Sequence, residues 1–487
     1  MTLLAAIDLG SNSFRLEIGQ AMGSHIARRG YWKETVRLAA GIGADNHLSR
    51  RAIDNACVCL ARMHERLQGM DAAQVRAVGT QTLRQALNSD QFLEQAQRAL
   101  GYPIDIISGR EEARLIFEGC THTLPPSKRR RLVVDIGGAS TEVIVGRGFT
   151  AAHAESFKIG CVGTTLRFFP DGRIDRGSFR RAQVACAAEL EEARMAFHNY
   201  GWDEAYGSSG TIGAAAVILR NRGWGDGTIT ASGLTRLREV LLDFGEIRRV
   251  QFDSIKTERA DVLVGGIAAL WAIFETFGIH EMRPAKGALR AGLLYDLLGR
   301  RARHDVRDAT VLRWQQRYGA DRPLARTVAT TAQKFYHAVL PDAPEDAVRT
   351  LRFACQLHEI GFAVSHSDYH KHSAYLVRNG DLPGFSTSDQ ERIAELVLGQ
   401  RGNLRKVLNA LWDPLRAGRL LALRLATILH HARHPVRLPR WTLRAHRSIE
   451  FGIDRAWIAR RPLTRHLLEE EAQQWARVGI SFYVREL

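Results

Sequence analysis

Two stretches of the chain break their apolar pattern in the same way. Leu4-Ala5-Ala6-Ile7-Asp8-Leu9-Gly10-Ser11-Asn12-Ser13-Phe14-Arg15-Leu16-Glu17-Ile18-Gly19 runs from apolar residues through Asp, Gly and polar residues back to apolar ones. Leu132-Val133-Val134-Asp135-Ile136-Gly137-Gly138-Ala139-Ser140-Thr141-Glu142-Val143-Ile144-Val145-Gly146 repeats that order. Each reads as strand, tight turn, strand. Two such hairpins about 127 residues apart predict related α/β lobes facing one cleft. Between them the pattern predicts strand and loop over Tyr31 to Ala40 and an amphipathic helix over Ser49 to Gln68. A buried strand over Val75 to Thr80 then feeds a helix at Gln81 to Ala86, and a strand over Ile104 to Ile107 precedes a helix from Ser108. Lys128 to Arg131 reads as a solvated loop. After the second hairpin come a long helix over Ser178 to Tyr200 and a buried one over Val262 to Phe274. From about Asp305 the spacing is helical throughout.

The turns carry candidate chemistry. Glycine lets backbone N–H groups converge and an anion approach closely. Ser11, Asn12 and Ser13 in the first turn offer such donors, as do Gly137, Gly138, Ala139, Ser140 and Thr141 in the second. Asp135 and Glu142 flank the second turn with hard carboxylate oxygens that suit Mg²⁺, which usually bridges to substrate phosphates. Asp8 is either a further, water-mediated ligand or an orienter of its own turn. A strand that breaks at Gly79-Thr80 can set Arg84 in the cleft at the strands' carboxyl ends. Gly207-Ser208-Ser209-Gly210-Thr211, at the start of a helix, offers free N–H groups to an anion. Ser108 and Glu111 have capping-box spacing, which gives Glu111 a structural task and leaves Glu112 free. The absence of a GxxxxGK[ST] motif argues against a P-loop NTPase.

DLGSNSFRL and DIGGASTE resemble the two phosphate motifs of the acetate kinase/sugar kinase/actin superfamily. They take the form used by the Ppx/GppA family of exopolyphosphatases and guanosine pentaphosphate phosphatases. The resemblance extends along most of the chain. TQTLRQA is similar to the family's TxTLRxA stretch, which implies that Arg84 contacts substrate phosphate. SGREEARLIF is similar to SGxEEARLIF, which implies that Glu112 is the catalytic base. GSSGT resembles GASGT, so that Gly207, Ser209 and Gly210 would form a third wall of the phosphate pocket. GALRAG departs from GALREG at Ala291, which leaves the usual Glu's role in doubt. HKHSAYL and DLPGF match a degenerate HD fold; His358-Glu359 stands where a metal-dependent phosphohydrolase would show His-Asp, which argues against a working second metal site despite His366, His370 and His372 nearby in sequence.

The resemblance implies two actin-like (ribonuclease H-like) α/β lobes, 1–122 and 123–302, around a cleft, followed by an all-α HD-like domain, 303–487. It implies an exopolyphosphatase that works processively on inorganic polyphosphate with Mg²⁺ or Mn²⁺ on Asp135, Glu142 and Asp8. The family alternative is the 5′-phosphohydrolase acting on pppGpp. A homodimer is expected. Rival readings are an actin-like ATP-binding kinase or ATPase and a catalytically idle polyanion binder.

Composition narrows the partners. The 487 residues are too many for one core and suggest three domains, and 45% hydrophobic with 25% charged residues describes an ordinary globular protein. The net charge of +16 favours polyanions. From Arg301 onward 30 Lys and Arg face 19 Asp and Glu, so an excess of 11 sits in this basic region, where Arg401, Arg405 and Lys406 are candidates to line a polyanion path. No nucleic-acid-binding signature accompanies the charge, so no specific nucleic acid partner is expected. No signal-type segment opens the chain, no apolar run spans a bilayer, and six scattered cysteines lack metal spacing; a cytoplasmic protein without a transmembrane segment is expected.

Overall fold

In the computed structural model residues 2–301, 305–433 and 436–487 are described, 257 and 258 by their backbone alone. The expected boundary between 302 and 303 lies outside the described residues. Two compact units divide the chain, Met1–Asp305 and Val306–Leu487.

The first unit holds two sheets of the same plan. In the first, β1 (Leu3–Leu9) pairs antiparallel with β2 (Ser13–Met22), which pairs with β3 (His25–Thr35). On the other side β1 lies parallel to β4 (Val75–Gly79), and β4 to β5 (Ile104–Ile106). Helices α1 (Arg50–His64), α2 (Gln81–Gln85) and α3 (Ser89–Leu100) accompany this sheet, and apolar residues of α1 and α3 close a core on β1 and β2. After α4 (Gly109–Thr123) the plan repeats: β6 (Arg130–Ile136), β7 (Thr141–Arg147) and β8 (Thr150–Phe157) form the antiparallel half. Helices α5 (Cys161–Phe168) and α6 (Arg176–Tyr200) follow, then β9 (Glu204–Ser208), parallel to β6. Next come α7 (Ser209–Asn221), β10 (Ile229–Thr230), α8 (Ala231–Phe244), α9 (Thr257–Ala260), α10 (Leu263–Phe277) and β11 (Glu281–Pro284), which extends the sheet beyond β9. The two hairpins expected from the sequence are thus β1–β2 and β6–β7, each at the centre of its sheet. Arg131 is no part of a solvated loop; it is the second residue of β6, is 2% exposed, and pairs with Glu204 at 3.2 Å.

The apolar segment predicted at Val262 is α10, which is buried among α5, α6, α7 and α8. The last helix of the unit, α11 (Leu289–Arg301), returns to the first sheet and packs on α4 and β1. One apolar cluster joins α4 and α11 to both sheets through Leu4, Val78, Phe117, Val133, Ile144 and Leu293.

The second unit is mainly helical: α12 (Val306–Arg317), α13 (Arg322–Val339), α14 (Glu345–Leu357), α15 (Tyr369–Asn379), α16 (Thr387–Gly399) and α17 (Pro414–Leu429) surround one core. Beyond them β12 (Trp441–Ala445) and β13 (Ile449–Ile453) pair antiparallel, and β14 (Phe482–Glu486) adds to β13 in parallel. This small sheet was not expected from the helical spacing. No helix among the described residues is long and apolar enough to cross a membrane.

Candidate active site

The carboxyl ends of β1, β4, β6 and β9 converge on a cavity of about 110 Å³. Asp8, Ser11, Asn12, Ser13, Glu112, Asp135, Gly137, Gly138, Ala139, Ser140, Glu142, Ser209 and Gly210, all expected from the sequence, line it. Hairpin register sets the two turns in equivalent places: Asp8 faces Arg15 across β1–β2, and Asp135 faces Glu142 across β6–β7. The Gly137 N–H closes the second turn on the Ser140 carbonyl at 2.8 Å. That turn rests on the backbone of Gly160, where a Cβ would meet the Gly138 carbonyl oxygen at 2.3 Å and the Ala139 nitrogen at 2.4 Å, so only glycine fits. Ser209 opens α7 with φ of 80°, a left-handed conformation rare outside glycine, and donates its hydroxyl to the Ile136 carbonyl at 2.7 Å.

Glu112 enters from the first turn of α4, 7% exposed. Arg84 does not line the cavity; its Nη1 donates to Glu112 Oε2 at 2.9 Å and to the Ile107 carbonyl at 2.8 Å. Burial pushes the Glu112 carboxyl up to about 7, against the pull of Arg84, with Asp8 and Asp135 adding to the rise. Burial, then Glu112 and Asp135, hold Glu142 well above the usual carboxylate range, and burial raises Asp135. Ser208 donates to Asp135, and Ser156 to Glu142 at 2.9 Å.

Three buried acids repelling one another in one cavity are a donor set that suits a hard divalent cation. Among the described residues no three His, Cys, Asp or Glu side chains converge into a complete ligand cluster. Two carboxylates completed by substrate oxygens and water is therefore the arrangement that fits.

Other expected residues sit differently. Thr141 is fully buried and gives its hydroxyl to the Ile159 carbonyl at 2.7 Å, and Gly207 lies within β9 against Met282 and Ile212. The Ser108 side chain caps α4 by accepting from the Glu111 N–H at 3.2 Å, but the Glu111 carboxylate is forked by Arg114, at 2.8 Å on each oxygen, where the capping box would have it turned to Ser108.

The cations of the cavity escaped the sequence reading. Arg15, Arg259 and Arg290 line it. Arg290 lies 3.6 Å from Asp8 and 3.2 Å from Glu17, while its Nη1 and Arg15 Nε are buried without a hydrogen-bond acceptor. The Arg259 guanidinium covers Gly210 so closely that a Cβ there would meet its Nη2 at 2.1 Å. Arg15 was legible in principle, since hairpin register gives it the place that Glu142 holds in the other turn.

A cavity walled by glycine turns, unsatisfied guanidinium N–H groups and a perturbed carboxyl has the chemistry to receive an anion. The sequence pattern of the Ppx/GppA phosphatase family matches residues 23–301, and that of Ppx/GppA phosphatase, domain III, matches residues 306–472. The chain belongs to the Ppx/GppA phosphatase family. Its fold is similar to that of a Ppx/GppA family member from Aquifex aeolicus, at 24% identity and a TM-score of 0.54 over 62% of this chain and 98% of that one. It is also similar to an exopolyphosphatase from Cytophaga hutchinsonii, at 22% identity and a TM-score of 0.55 over 61% and 98% of the two chains. As a Ppx/GppA phosphatase the protein is a hydrolase of phosphoanhydride bonds, of exopolyphosphatase or GppA phosphohydrolase type.

In the second unit His358 is buried, with Nδ1 2.7 Å from the Cys355 carbonyl and Nε2 3.9 Å from Glu359, and burial keeps His370 down at about 4.

Proposed function

We propose that the protein is an exopolyphosphatase that releases orthophosphate processively from the end of inorganic polyphosphate. Glu112 carries the reading: a carboxyl with a pKa raised to about 7, in a cavity that also holds Asp8, Asp135 and Glu142 and whose turns and arginines offer donors to an anion. A base is most effective when its pKa lies close to the working pH. The terminal phosphoryl group rests against the turns at 11–13 and 137–140, and Arg15, Arg259 and Arg290 take up charge on its oxygens. Glu112 accepts a proton from the water that attacks phosphorus. The terminal P–O bond of the anhydride breaks, and the shortened chain leaves with the bonding electrons. Because the transition state is loose, positioning and electrostatics supply most of the acceleration. Asp135 and Glu142, with Asp8 reaching it through water, would hold Mg²⁺ or Mn²⁺, which when bound neutralises charge on phosphate oxygens.

The second reading, hydrolysis of the 5′-phosphate of pppGpp, draws on a neighbouring cavity of about 250 Å³ that Asn12, Gly210 and Arg259 share with the first and that extends to Lys33 and Lys256. It gives a bulky anionic leaving group room and countercharge. The same reading puts the enzyme in the cytoplasm, where its six unpaired cysteines are stable, as a homodimer. Phosphate release from long polyphosphate, pppGpp and ATP, assayed side by side with Mg²⁺ and with chelator, tests it. Polyphosphate should be the best substrate and chelator should abolish release; a preference for pppGpp selects the second reading, and a preference for ATP overturns both.

A further inference from the structure

Behind Glu112, on the side of α4 away from the cavity, lies a network of charges that the hydrolysis itself does not use. Asp296 of α11 is its hub, with its side chain 2% exposed. Arg76 of β4 donates to one carboxylate oxygen, which also accepts from Arg300 at 2.7 Å. Arg114 of α4 donates to the other at 2.8 Å. The same Arg114 forks onto Glu111 and reaches Glu118 at 2.8 Å, and Arg76 lies 3.8 Å from Glu111. Burial alone would raise the Asp296 carboxyl, but Arg300, Arg76 and Arg114 outweigh it and hold the group well below the usual range. Arg76, Arg114 and Arg300 thus meet Asp296, Glu111 and Glu118, the last with its carboxyl lifted by burial to about 7.

Such a network is a poor device for stability, because desolvating ions offsets most of their attraction and apolar residues of the same volume do as well. Its placement gives it another use. The three elements it ties together each deliver a charged group to the cleft region: β4 leads to Thr80 and Arg84, α4 carries Glu112 next to Glu111, and α11 carries Arg290 near its start. Backbone contact tightens the same junction, since a Cβ on Gly119 would meet the Ala288 carbonyl oxygen at 2.2 Å. We propose that Asp296 and Arg114 are positioning residues, which fix the helix bearing Glu112 against Arg84 on one side and the helix bearing Arg290 on the other. The inference rests on Glu112 as the base. Displacing a catalytic group by about 1 Å can cost about 10²-fold in rate.

The test measures phosphate release from polyphosphate by full-length Arg114→Lys, Asp296→Asn and Glu112→Gln, and by the double variant Arg114→Lys/Glu112→Gln. Arg114→Lys keeps the charge and loses the fork, so it should stay folded in circular dichroism even if Asp296→Asn does not. Its kcat should fall about ten- to a hundredfold, with KM changed less than about twofold. In the Glu112→Gln background the same substitution should cost less than about twofold, because a residue that acts through another loses its effect once that other is gone. A folded Arg114→Lys with unaltered kcat overturns the inference, as does a fall in kcat that adds in full to that of Glu112→Gln. Undiminished turnover in Glu112→Gln alone overturns the base assignment, and the positioning role with it.

Discussion

Glu112 meets two opposed demands. As a base it must be ionised, yet its buried site favours the neutral form. Replacing it with Gln keeps the shape but accepts no proton, so turnover should fall roughly 10²–10⁴-fold while polyphosphate binding, measured by competition, persists. In wild type, kcat/KM should decline as pH falls through about 7, the value at which Glu112 takes up its proton. Stability runs the other way. Unfolded, the carboxyl titrates near its ordinary value; folded, it titrates near 7, so the native state binds the extra proton and loses stability as pH rises between the two. In metal-free buffer Glu112→Gln should therefore raise Tm more at pH 8 than at pH 5. Asp135 and Glu142 are raised as well, so Mg²⁺ should raise the Tm of wild type and do so far less in Asp135→Ala or Glu142→Ala. Most of this acid set was readable because carboxylates beside glycine turns announce themselves. Arg259 was not, since an arginine's meaning depends on which elements fold over it, and in an arginine-rich chain it carries little local signal.

At the scale of elements, glycines set how closely α4 and α11 approach. A Cβ on Gly292 would meet the Leu115 carbonyl oxygen at 1.9 Å, and that obstacle is backbone that cannot turn aside. Gly292→Ala should cost about 1–3 kcal/mol or more in urea unfolding. Gly163→Ala, in α5 with nothing within 4 Å of the added carbon, should be neutral or stabilise by about 0.4–1 kcal/mol. The hairpins and the buried α10 were plain in the sequence, because period and apolar run length speak directly for strand and buried helix. The sheet of β12, β13 and β14 was not, although Ile449-Glu450-Phe451 alternates, because the surrounding helical spacing outweighs five-residue strands, and the third of them, β14, lies beyond another helical stretch. Glu111 misled for a related reason: capping-box spacing is a local rule, and Arg114 with Arg76 overrides it through tertiary contact.

Over the whole molecule, positive charge gathers in the C-terminal region, and Lys406 shows how tightly. Burial, then Arg424 and Lys371, bring its ammonium down to about 8, so a polyanion bound there would relieve the repulsion among these cations. Replacing Arg401, Arg405 and Lys406 with Gln should weaken long polyphosphate and flatten the salt dependence of its binding, while turnover of very short chains stays. Gels of partly digested long polyphosphate should then show a ladder in place of intact chains and phosphate. The path of the chain itself has a consequence for synthesis. Strand β1 is made first, yet the helix that packs on it, α11, is made only after the whole second sheet. At about 5–20 residues per second, β1 waits on the order of a quarter of a minute to a minute for that partner. Nascent chains stalled before Leu289 should remain open to protease at the first sheet, and those stalled with Arg301 clear of the ribosome should not. The half of the site that emerges earliest is thus the last to be locked, and no charged cleft is completed until both halves exist to share it.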